Sequence, residues 1–375
     1  MAHKRQHFVA QYYLRQFRIG SSEQVAIATL DPLRVVGIGA IKRQCQEDYF
    51  YGEDKTLEKL LSQSEGDIAP ILAGLNTKLN FNGPELVALR LLAAELHLRT
   101  RKVVEAAKVF PKHIAYKVIG SAIERGELPP PPGGELTEDM MDFGGVPGFL
   151  IHTGMIPCWM EMQTLNCKLL RATGSASFIT SDNPTVLLNQ FAVGAHPIRS
   201  FVGFGQSGFQ LLLPVSPSIC LFFFDPKVYK VGKRRSRLAD VSATDIGIIN
   251  SLQIQTAEKC LYFHDMHLAP EILRIMKRYT SLRVPIREGL KEYPGRSDKE
   301  RFLHLQQPAA RLPAQWTFCH YRRRISVRPG QRRDAAWSAT IDELMKDIRR
   351  DPEGGGIFTR LSRILGVDIA RSPMS

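Results

Sequence analysis

The sequence contains no long hydrophobic run and no apolar N-terminal segment. Among its 375 residues the longest apolar run is Ile219–Phe224, far shorter than the roughly 18 residues that a membrane-spanning helix needs. The N-terminal charges at Lys4 and Arg5 are not followed by the apolar stretch that a secretory signal would have. We therefore expect no membrane span and a cytoplasmic location.

Metal-binding and catalytic motifs of fixed spacing are also missing. The sequence has no C-x-x-C pair, no H-E-x-x-H, no P-loop lysine motif and no G-x-S-x-G. Single, scattered cysteines exclude a disulfide framework and a closed structural zinc site, and they are typical of free thiols in a reducing cytoplasm. The six cysteines are Cys45, Cys158, Cys167, Cys220, Cys260 and Cys319.

Residues 203–208 match G-x-G-x-x-G, the phosphate-binding pattern of dinucleotide folds. That function needs a helix directly after the glycines, so that the pyrophosphate meets a helix N-terminus. A β-like run, residues 209–215, follows here instead. The pattern therefore favours a glycine-rich turn over a nucleotide site.

The net charge of +13 is confined to the C-terminal part of the chain. Residues 1–225 carry 21 basic and 21 acidic side chains, whereas residues 226–375 carry 29 basic and 16 acidic ones. Such asymmetry predicts a polyanionic partner, above all nucleic acid, because each cation that meets a phosphate releases a counterion. A solvated basic tail without a partner, or a membrane surface or acidic protein as partner, remain alternatives. The basic clusters are Lys227, Lys230, Lys233, Arg234, Arg235 and Arg237; Arg322, Arg323 and Arg324; and Arg328, Arg332 and Arg333.

The order of hydrophobic patterns predicts an α+β fold with a helical N-terminal half and a small hairpin. A strand-rich, mixed or antiparallel sheet occupies the second half, and a basic C-terminal extension follows. The predicted domains are residues 1–128 for the hairpin and helices, 135–284 for the sheet and 285–375 for the extension. The predicted strands are residues 25–30, 34–38, 167–172, 177–181, 186–189, 209–215, 219–224 and 260–264. The predicted helices are residues 57–75, 84 to about 127 with a break near Pro111, 240–257, 342–350 and 358–365, besides a short turn at 7–17.

Polar residues interrupt these apolar patterns at three places. Ser181-Asp182-Asn183-Pro184 lies between two β-like runs, where it forms either a turn that bonds its own backbone or a site that presents a carboxylate. Glu58 and Glu65, seven residues apart, share one helix face. Arg99 lies in a polar group on an otherwise apolar helix, which indicates a pocket or a buried ion pair with these acids.

Together these pieces resemble a widespread microbial family, the domain of unknown function 4238, over about residues 3–270. The opening segment and the Ser-Asp-Asn-Pro turn are specific in this order and separation, although neither is specific alone. Ala10 stands where the family usually has proline, and the basic extension lies outside the resemblance. The matching segments are residues 7–17 (HFVAQYYLRQF), 44–51 (QCQEDYFY), Leu57 with Glu58 and Glu65, 178–184 (FITSDNP) and 213–217 (LPVSP).

The resemblance implies a set of recurrent polar positions and no established activity. Acids, a histidine and amides drawn from distant segments would suit a metal-assisted hydrolase, in which carboxylates hold a divalent ion and arginine neutralises a phosphoryl group. The matching positions are His7, Gln11, Asp48, Glu58, Glu65, Arg99, Asp182 and Asn183.

Two hypotheses follow from the sequence. In the first, the protein acts on nucleic acid by metal-dependent phosphodiester hydrolysis, with a divalent metal as the implied cofactor. In the second, it is a non-catalytic interaction or nucleic-acid-binding module whose polar residues form a buried structural network. The first assigns catalysis to His7 as base, Asp182 with Glu58 or Glu65 as acids and Arg99 as phosphate clamp, metal ligation to Asp182 and Glu65, and substrate contacts to Gln11, Asp48, Asn183, Arg322, Arg323 and Arg324.

Overall fold

The structure is a computed structural model that describes residues 5–52, 55–141, 146–193, 202–283, 290–294, 301–305 and 310–351, together with Arg360 and Ile364. Its α-helices are α1 (Gln11–Leu14), α2 (Lys55–Lys78), α3 (Gly83–Leu98), α4 (Arg101–Glu124), α5 (Val146–Glu161), α6 (Ala243–Thr256), α7 (Ala269–Tyr279) and α8 (Ala335–Arg350). Its first strands are β1 (Arg5–His7), β2 (Gln24–Leu30), β3 (Leu33–Ala40), β4 (Gln46–Asp48), β5 (Asn166–Ala172), β6 (Thr180–Ser181), β7 (Val186–Leu188) and β8 (Gln210–Pro214). The remaining strands are β9 (Ile219–Phe224), β10 (Tyr229–Val231), β11 (Leu238–Val241), β12 (Cys260–Phe263), β13 (Leu290–Pro294), β14 (Arg301–Leu305) and β15 (Cys319–Tyr321).

A mixed five-stranded sheet forms the centre of the molecule, in the order β11-β5-β9-β8-β7. β11 runs parallel to β5, and the other neighbours are antiparallel. Alternate side chains of β9 enter two different hydrophobic cores, Leu221 and Phe223 on one face and Phe222 and Phe224 on the other. Because both faces are covered, the run Ile219–Phe224 is apolar throughout.

The predicted hairpin is β2 and β3, and it belongs to a four-stranded antiparallel sheet in the order β3-β2-β12-β6. Ala26 and Ala28 of β2 pack with Phe263 of β12 against the buried stripe of α7, which includes Ile272 and Ile275. The α+β class predicted from the sequence is therefore confirmed, with helices α1 to α4 in the N-terminal half around the hairpin.

The long helix predicted from Pro84 onward divides at a different residue than expected. Pro84 does open α3, where Asn82 and Glu85 form a capping box. The predicted break near Pro111 is wrong, because Pro111 lies inside α4 and the chain turns at Thr100 instead. Thr100 adopts an extended backbone and donates its hydroxyl to Asn183 at 3.0 Å, so a tertiary contact fixes this turn.

Two helices were not predicted, α5 and α7. The sequence of α5 contains glycines and prolines, which disguise the helical period. The predicted strand at residues 177–181 is only β6, Thr180–Ser181, and the predicted tail helix at 358–365 falls almost wholly outside the described residues.

The C-terminal extension packs against the body in the part that the structure describes. β15 pairs with β10, Trp316 and Phe318 join the core on one face of the five-stranded sheet, and α8 packs on α5. The domain boundaries themselves stay a prediction. Within the described ranges, no helix combines the length and apolar character that crossing a bilayer requires.

Candidate functional site

The Ser-Asp-Asn-Pro turn, residues 181–184, holds the loop between α6 and β12. Both carboxylate oxygens of Asp182 accept backbone N–H groups: Oδ1 from Glu258 at 2.8 Å, and Oδ2 from Lys259 at 2.7 Å and Cys260 at 3.0 Å. The turn follows β6, which pairs with β12, and this pairing brings the carboxylate to the loop. Asp182 thus satisfies three consecutive donors that the backbone would otherwise leave without partners.

Carbonyl groups of the same loop are bound by side chains from three other places. The carbonyl of Thr256 accepts from Lys102 Nζ at 2.8 Å and from Asn183 Nδ2 at 3.0 Å. Arg283 donates to the carbonyls of Ala257, at 3.1 Å, and Glu258. We call this group, which comprises Asp182, Asn183, Lys102 and Arg283 around residues 256–260, the loop clamp.

Burial raises the pKa of Asp182, and the three N–H donors act against that shift. The side chain is only 5% exposed, and its lone pairs are directed at backbone donors. A metal ion at Asp182 would have to displace these hydrogen bonds. Among the described residues, no three His, Cys, Asp or Glu side chains are grouped so as to hold a metal ion.

Arg99 forms the centre of a second buried group. Its Nη1 donates to Glu65 at 2.9 Å and Glu95 at 2.6 Å, its Nε donates to the Tyr51 hydroxyl at 2.9 Å, and its Nη2 donates to the carbonyl of His7 at 2.7 Å. The Arg99 side chain is 3% exposed. Every nitrogen of the guanidinium therefore has a protein acceptor, as in a structural ion pair.

His7 is neutral in this arrangement. Its Nδ1 lies 3.0 Å from the carbonyl of Gln44, which can only accept, so Nδ1 carries the proton. Its Nε2 accepts from the Gln11 amide at 2.9 Å, while the Gln11 oxygen accepts from Arg15. Burial lowers the pKa of His7, although its hydrogen bond to Gln44 opposes the shift. To act as a base, the imidazole would first have to lose its bond to Gln11.

The remaining predicted site residues lie in different surroundings. Glu58 is half-buried in the first turn of α2, two helical turns before Glu65. Asp48 is exposed at the end of β4 and lines an open pocket of about 450 Å³ together with Arg5, Arg43, Gln46 and Glu47. Hydrogen bonds thus join His7, Gln11, Glu65 and Arg99 in one group, and Asp182 and Asn183 belong to the loop clamp. The two groups adjoin through Thr100, which follows Arg99 and bonds Asn183.

Sequence reasoning missed Glu95, which is fully buried and also accepts from Ser64 at 2.8 Å. Its spacing of four residues before Arg99 was the available signal, because side chains at i and i+4 of a helix are neighbours. Lys102 and Arg283 were missed as well, and only the tertiary structure brings them to the loop. Burial lowers the pKa of Lys102 to about 8.

The basic clusters divide into buried and exposed cations. Arg333 is buried and donates to Thr164 at 2.7 Å and to the carbonyl of Glu161 at 2.6 Å, while Arg332 pairs with the Glu161 carboxylate at 3.2 Å. These two arginines fasten the extension to the end of α5. A structural role therefore accounts for part of the basic excess.

The exposed cations gather along the β10–β15 pair. Lys230 lies opposite His320 in the register, and both are exposed, whereas Tyr229 and Val231 of β10 are buried. Exposed cations also follow each strand. We call this surface the basic ribbon, and it consists of Lys230, Lys233, Arg234, Arg235, His320, Arg322, Arg323 and Arg324.

The glycine-rich segment at 203–208 is a turn before β8, as predicted. A Cβ on Gly205 would lie 2.5 Å from Glu161 Oε1, and a Cβ on Gly208 would lie 2.4 Å from Phe191 Cβ. Gly208 also has a φ of +80°. Close packing and backbone conformation therefore require these glycines, without any bound phosphate.

The fold is α+β, and six of the family's recurrent polar residues bond to other groups of the protein: His7, Gln11, Glu65, Arg99, Asp182 and Asn183. The chain belongs to the family described as protein of unknown function (DUF4238), whose model matches residues 5–117 and 152–267. This match confirms the family resemblance seen in the sequence. No curated protein matches the chain, and neither does any solved structure.

Proposed function

We propose that the protein binds nucleic acid through the basic ribbon and that the family's polar residues form a structural network. The observation that carries the proposal is the pairing of β10 with β15. Its register sets exposed Lys230 opposite exposed His320, from segments about 90 residues apart in sequence, and the exposed cations that follow each strand extend this pair at its two ends. Arginine is well suited to phosphate because its planar fork donates two parallel hydrogen bonds.

The contacts of Asp182 and Arg99 support the structural part of the proposal. Buried polar groups are normally saturated with hydrogen bonds when their role is to hold a fold. Asp182 has three backbone donors, and Arg99 has four acceptors. A catalytic acid or phosphate clamp would instead need a face that is directed at a substrate.

Salt dependence of binding tests the nucleic-acid part. For the full chain and a single-stranded oligonucleotide, we expect the logarithm of the association constant to fall steeply with the logarithm of salt concentration. Replacing Arg322, Arg323 and Arg324 with serine should reduce that slope by about 2, since each phosphate contact on a single strand contributes roughly 0.7.

The matched control replaces three exposed cations of α7, Arg274, Lys277 and Arg278, with serine. It changes the net charge equally, but α7 packs on the four-stranded sheet, so the slope should stay close to that of the wild type. A slope near zero for the wild type, or equal slopes for both triple variants, would overturn the proposal.

The hydrolase hypothesis is an outcome of a second experiment. We expect the wild type to show no divalent-metal-dependent cleavage. Asp182→Ala should lower only the melting temperature. Metal-dependent cleavage by the wild type that disappears in Asp182→Ala at an unchanged melting temperature would instead establish a catalytic site.

A further inference from the structure

An open pocket of about 440 Å³ lies between the basic ribbon and β11. A volume of this size falls in the range that small-molecule ligands occupy, roughly 300–1,000 Å³. Lys230, Lys233 and His320 of the basic ribbon belong to its lining. The pocket is thus much larger than a lone phosphate needs, and two lysines contribute positive charge to it.

Apolar residues also line the pocket. Leu238 and Ala239 of β11 and Phe318 line it. Phe318 is held in place by aromatic neighbours, with its ring centroid 5.5 Å from that of Phe222 and 5.0 Å from that of Trp316. A ligand that fills the pocket therefore needs an anionic end and a less polar body.

Acidic and hydroxyl groups at the pocket are already engaged. Asp240 lines the pocket, but its carboxylate accepts from Arg171 at 2.7 Å, so its charge is compensated. The Thr317 hydroxyl donates to Asp245 at 2.7 Å. The uncompensated charge around the pocket is consequently positive.

The loop that carries Lys233 has a fixed backbone. Lys168 of β5 lies against it and donates to the carbonyl of Lys233 at 2.7 Å and to the carbonyl of Ser236. The Ser236 hydroxyl in turn donates to the carbonyl of Leu238 at 2.8 Å. These bonds hold the backbone of Lys233 before any ligand arrives, so the entropy cost of binding at this residue is confined to its side chain.

We infer that this pocket binds a single nucleotide unit, with its phosphate at Lys230, Lys233 and His320 and its nucleoside against Leu238, Ala239 and Phe318. The inference rests on the proposed function, which it makes more specific. A single-stranded region or strand end would supply such a unit, because a base within a duplex is stacked and paired. A free mononucleotide has the same chemistry, and the experiment separates these two sources.

The test measures binding of AMP, inorganic phosphate and adenosine to the full chain by calorimetry, alongside a single strand and a duplex of equal length. We expect AMP to bind more tightly than phosphate or adenosine, and the single strand more tightly than the duplex. A duplex that binds at least as well as the single strand, while AMP still binds, would identify the free nucleotide as the source and overturn the strand assignment.

The decisive variants are Lys233→Gln and Arg234→Gln, which remove one charge from adjacent exposed residues of the same loop. Lys233 lines the pocket, whereas Arg234 is not among the described residues that line it. Lys233→Gln should weaken AMP binding about tenfold, since a charged hydrogen bond is lost. Arg234→Gln should change AMP binding less than about twofold, because exposed charges interact weakly through solvent, and both should weaken binding of a long strand to a similar degree.

The outcomes separate the two proposals. If the single strand binds with a steep salt slope but AMP does not bind, the pocket inference fails and the proposed function stands. Equal losses of AMP affinity in both variants, or phosphate that binds as tightly as AMP, would also overturn the pocket inference. If neither the strand nor AMP binds, both proposals fail.

Discussion

His97 is a buried histidine whose charge the fold excludes. It lies on α3, with Nδ1 3.4 Å from the Thr185 hydroxyl and its ring centroid 5.3 Å from that of Phe204. Burial lowers the pKa of His97 to about 4. Below the ordinary histidine pKa the unfolded chain therefore takes up a proton that the folded chain refuses, so stability falls as the pH falls toward 4.

When the pH is lowered from about 7 to about 4.5, we expect the free energy of unfolding to fall by roughly 2–3 kcal/mol because of His97. Denaturant unfolding at these two pH values measures the loss. His97→Gln is the comparison, because it cannot titrate, and its own loss should be smaller by that amount. Identical pH dependence in the two proteins would show that His97 has the same pKa in the folded and the unfolded chain.

Arg99 and Glu95 form a buried ion pair in which each charge compensates the other. Arg99→Met should destabilise the protein by about 3–5 kcal/mol, because it leaves the fully buried Glu95 without its cation. Adding Glu95→Gln should recover at least about 1 kcal/mol, since the uncompensated charge is then removed. Urea denaturation of the single and double variants tests this, and a double variant less stable than Arg99→Met would contradict it.

At the scale of elements, the connection from α6 to β12 depends on a segment far away in sequence. Ser181 and Gln253 bond each other at 2.8 Å, and Gln253 also donates to the carbonyl of Pro184 at 2.7 Å. The loop clamp completes this arrangement around residues 256–260. The family's Ser-Asp-Asn-Pro turn consequently joins β6, α6 and β12 in one hydrogen-bonded unit.

We expect Asp182→Ala to lower the free energy of unfolding by about 3 kcal/mol, because three backbone N–H groups lose their acceptor. Hydrogen exchange should accelerate most at the amides of Glu258, Lys259 and Cys260. Asp67→Ala is the control, since Asp67 is exposed on α2 and its loss should change stability by less than about 0.5 kcal/mol. Unchanged exchange at these three amides would refute the clamp.

At the scale of the whole molecule, the C-terminal extension completes the body that the family model matches. Trp316 and Phe318 cover the five-stranded sheet, and Ile341 and Leu344 of α8 pack against Met160 of α5. Burying each large apolar side chain contributes about 1.5–3 kcal/mol. Together they amount to a large part of the roughly 5–15 kcal/mol by which most domains are stable.

A chain that ends at residue 309 should therefore fail to show a cooperative thermal transition near that of the full protein. Thermal melting followed by circular dichroism measures this. Arg333→Met provides a milder variant, because it keeps the apolar contacts but removes the buried guanidinium that bonds Thr164 and Glu161. We expect it to melt at an intermediate temperature, and full stability of the shortened chain would show that the extension is separable.

The sequence by itself determined the α+β class, the hairpin and, except for β11, the strands of the two larger sheets, because alternation and apolar runs report local structure directly. The short strands β10 and β15 were not predicted. The sequence also identified the family, through short motifs that occur in a specific order and separation along the chain. The period of α5 and the turn at Thr100 escaped it. In those places packing and a contact with Asn183 outweigh local preference.

The tertiary structure alone decided what the polar residues contact. A sequence shows that Asp182 and Arg99 are polar residues in apolar surroundings, which is equally true of a catalytic site and of a buried network. Only the fold brings the N–H groups of residues 258–260 to Asp182 and brings Glu65 and Tyr51 to Arg99. In the same way, the charge count located the basic excess. Only the structure shows which of its cations are exposed along β10 and β15 and that Arg333 is buried. Hydrogen-bond saturation and burial depend on three-dimensional neighbours, and no linear pattern contains them.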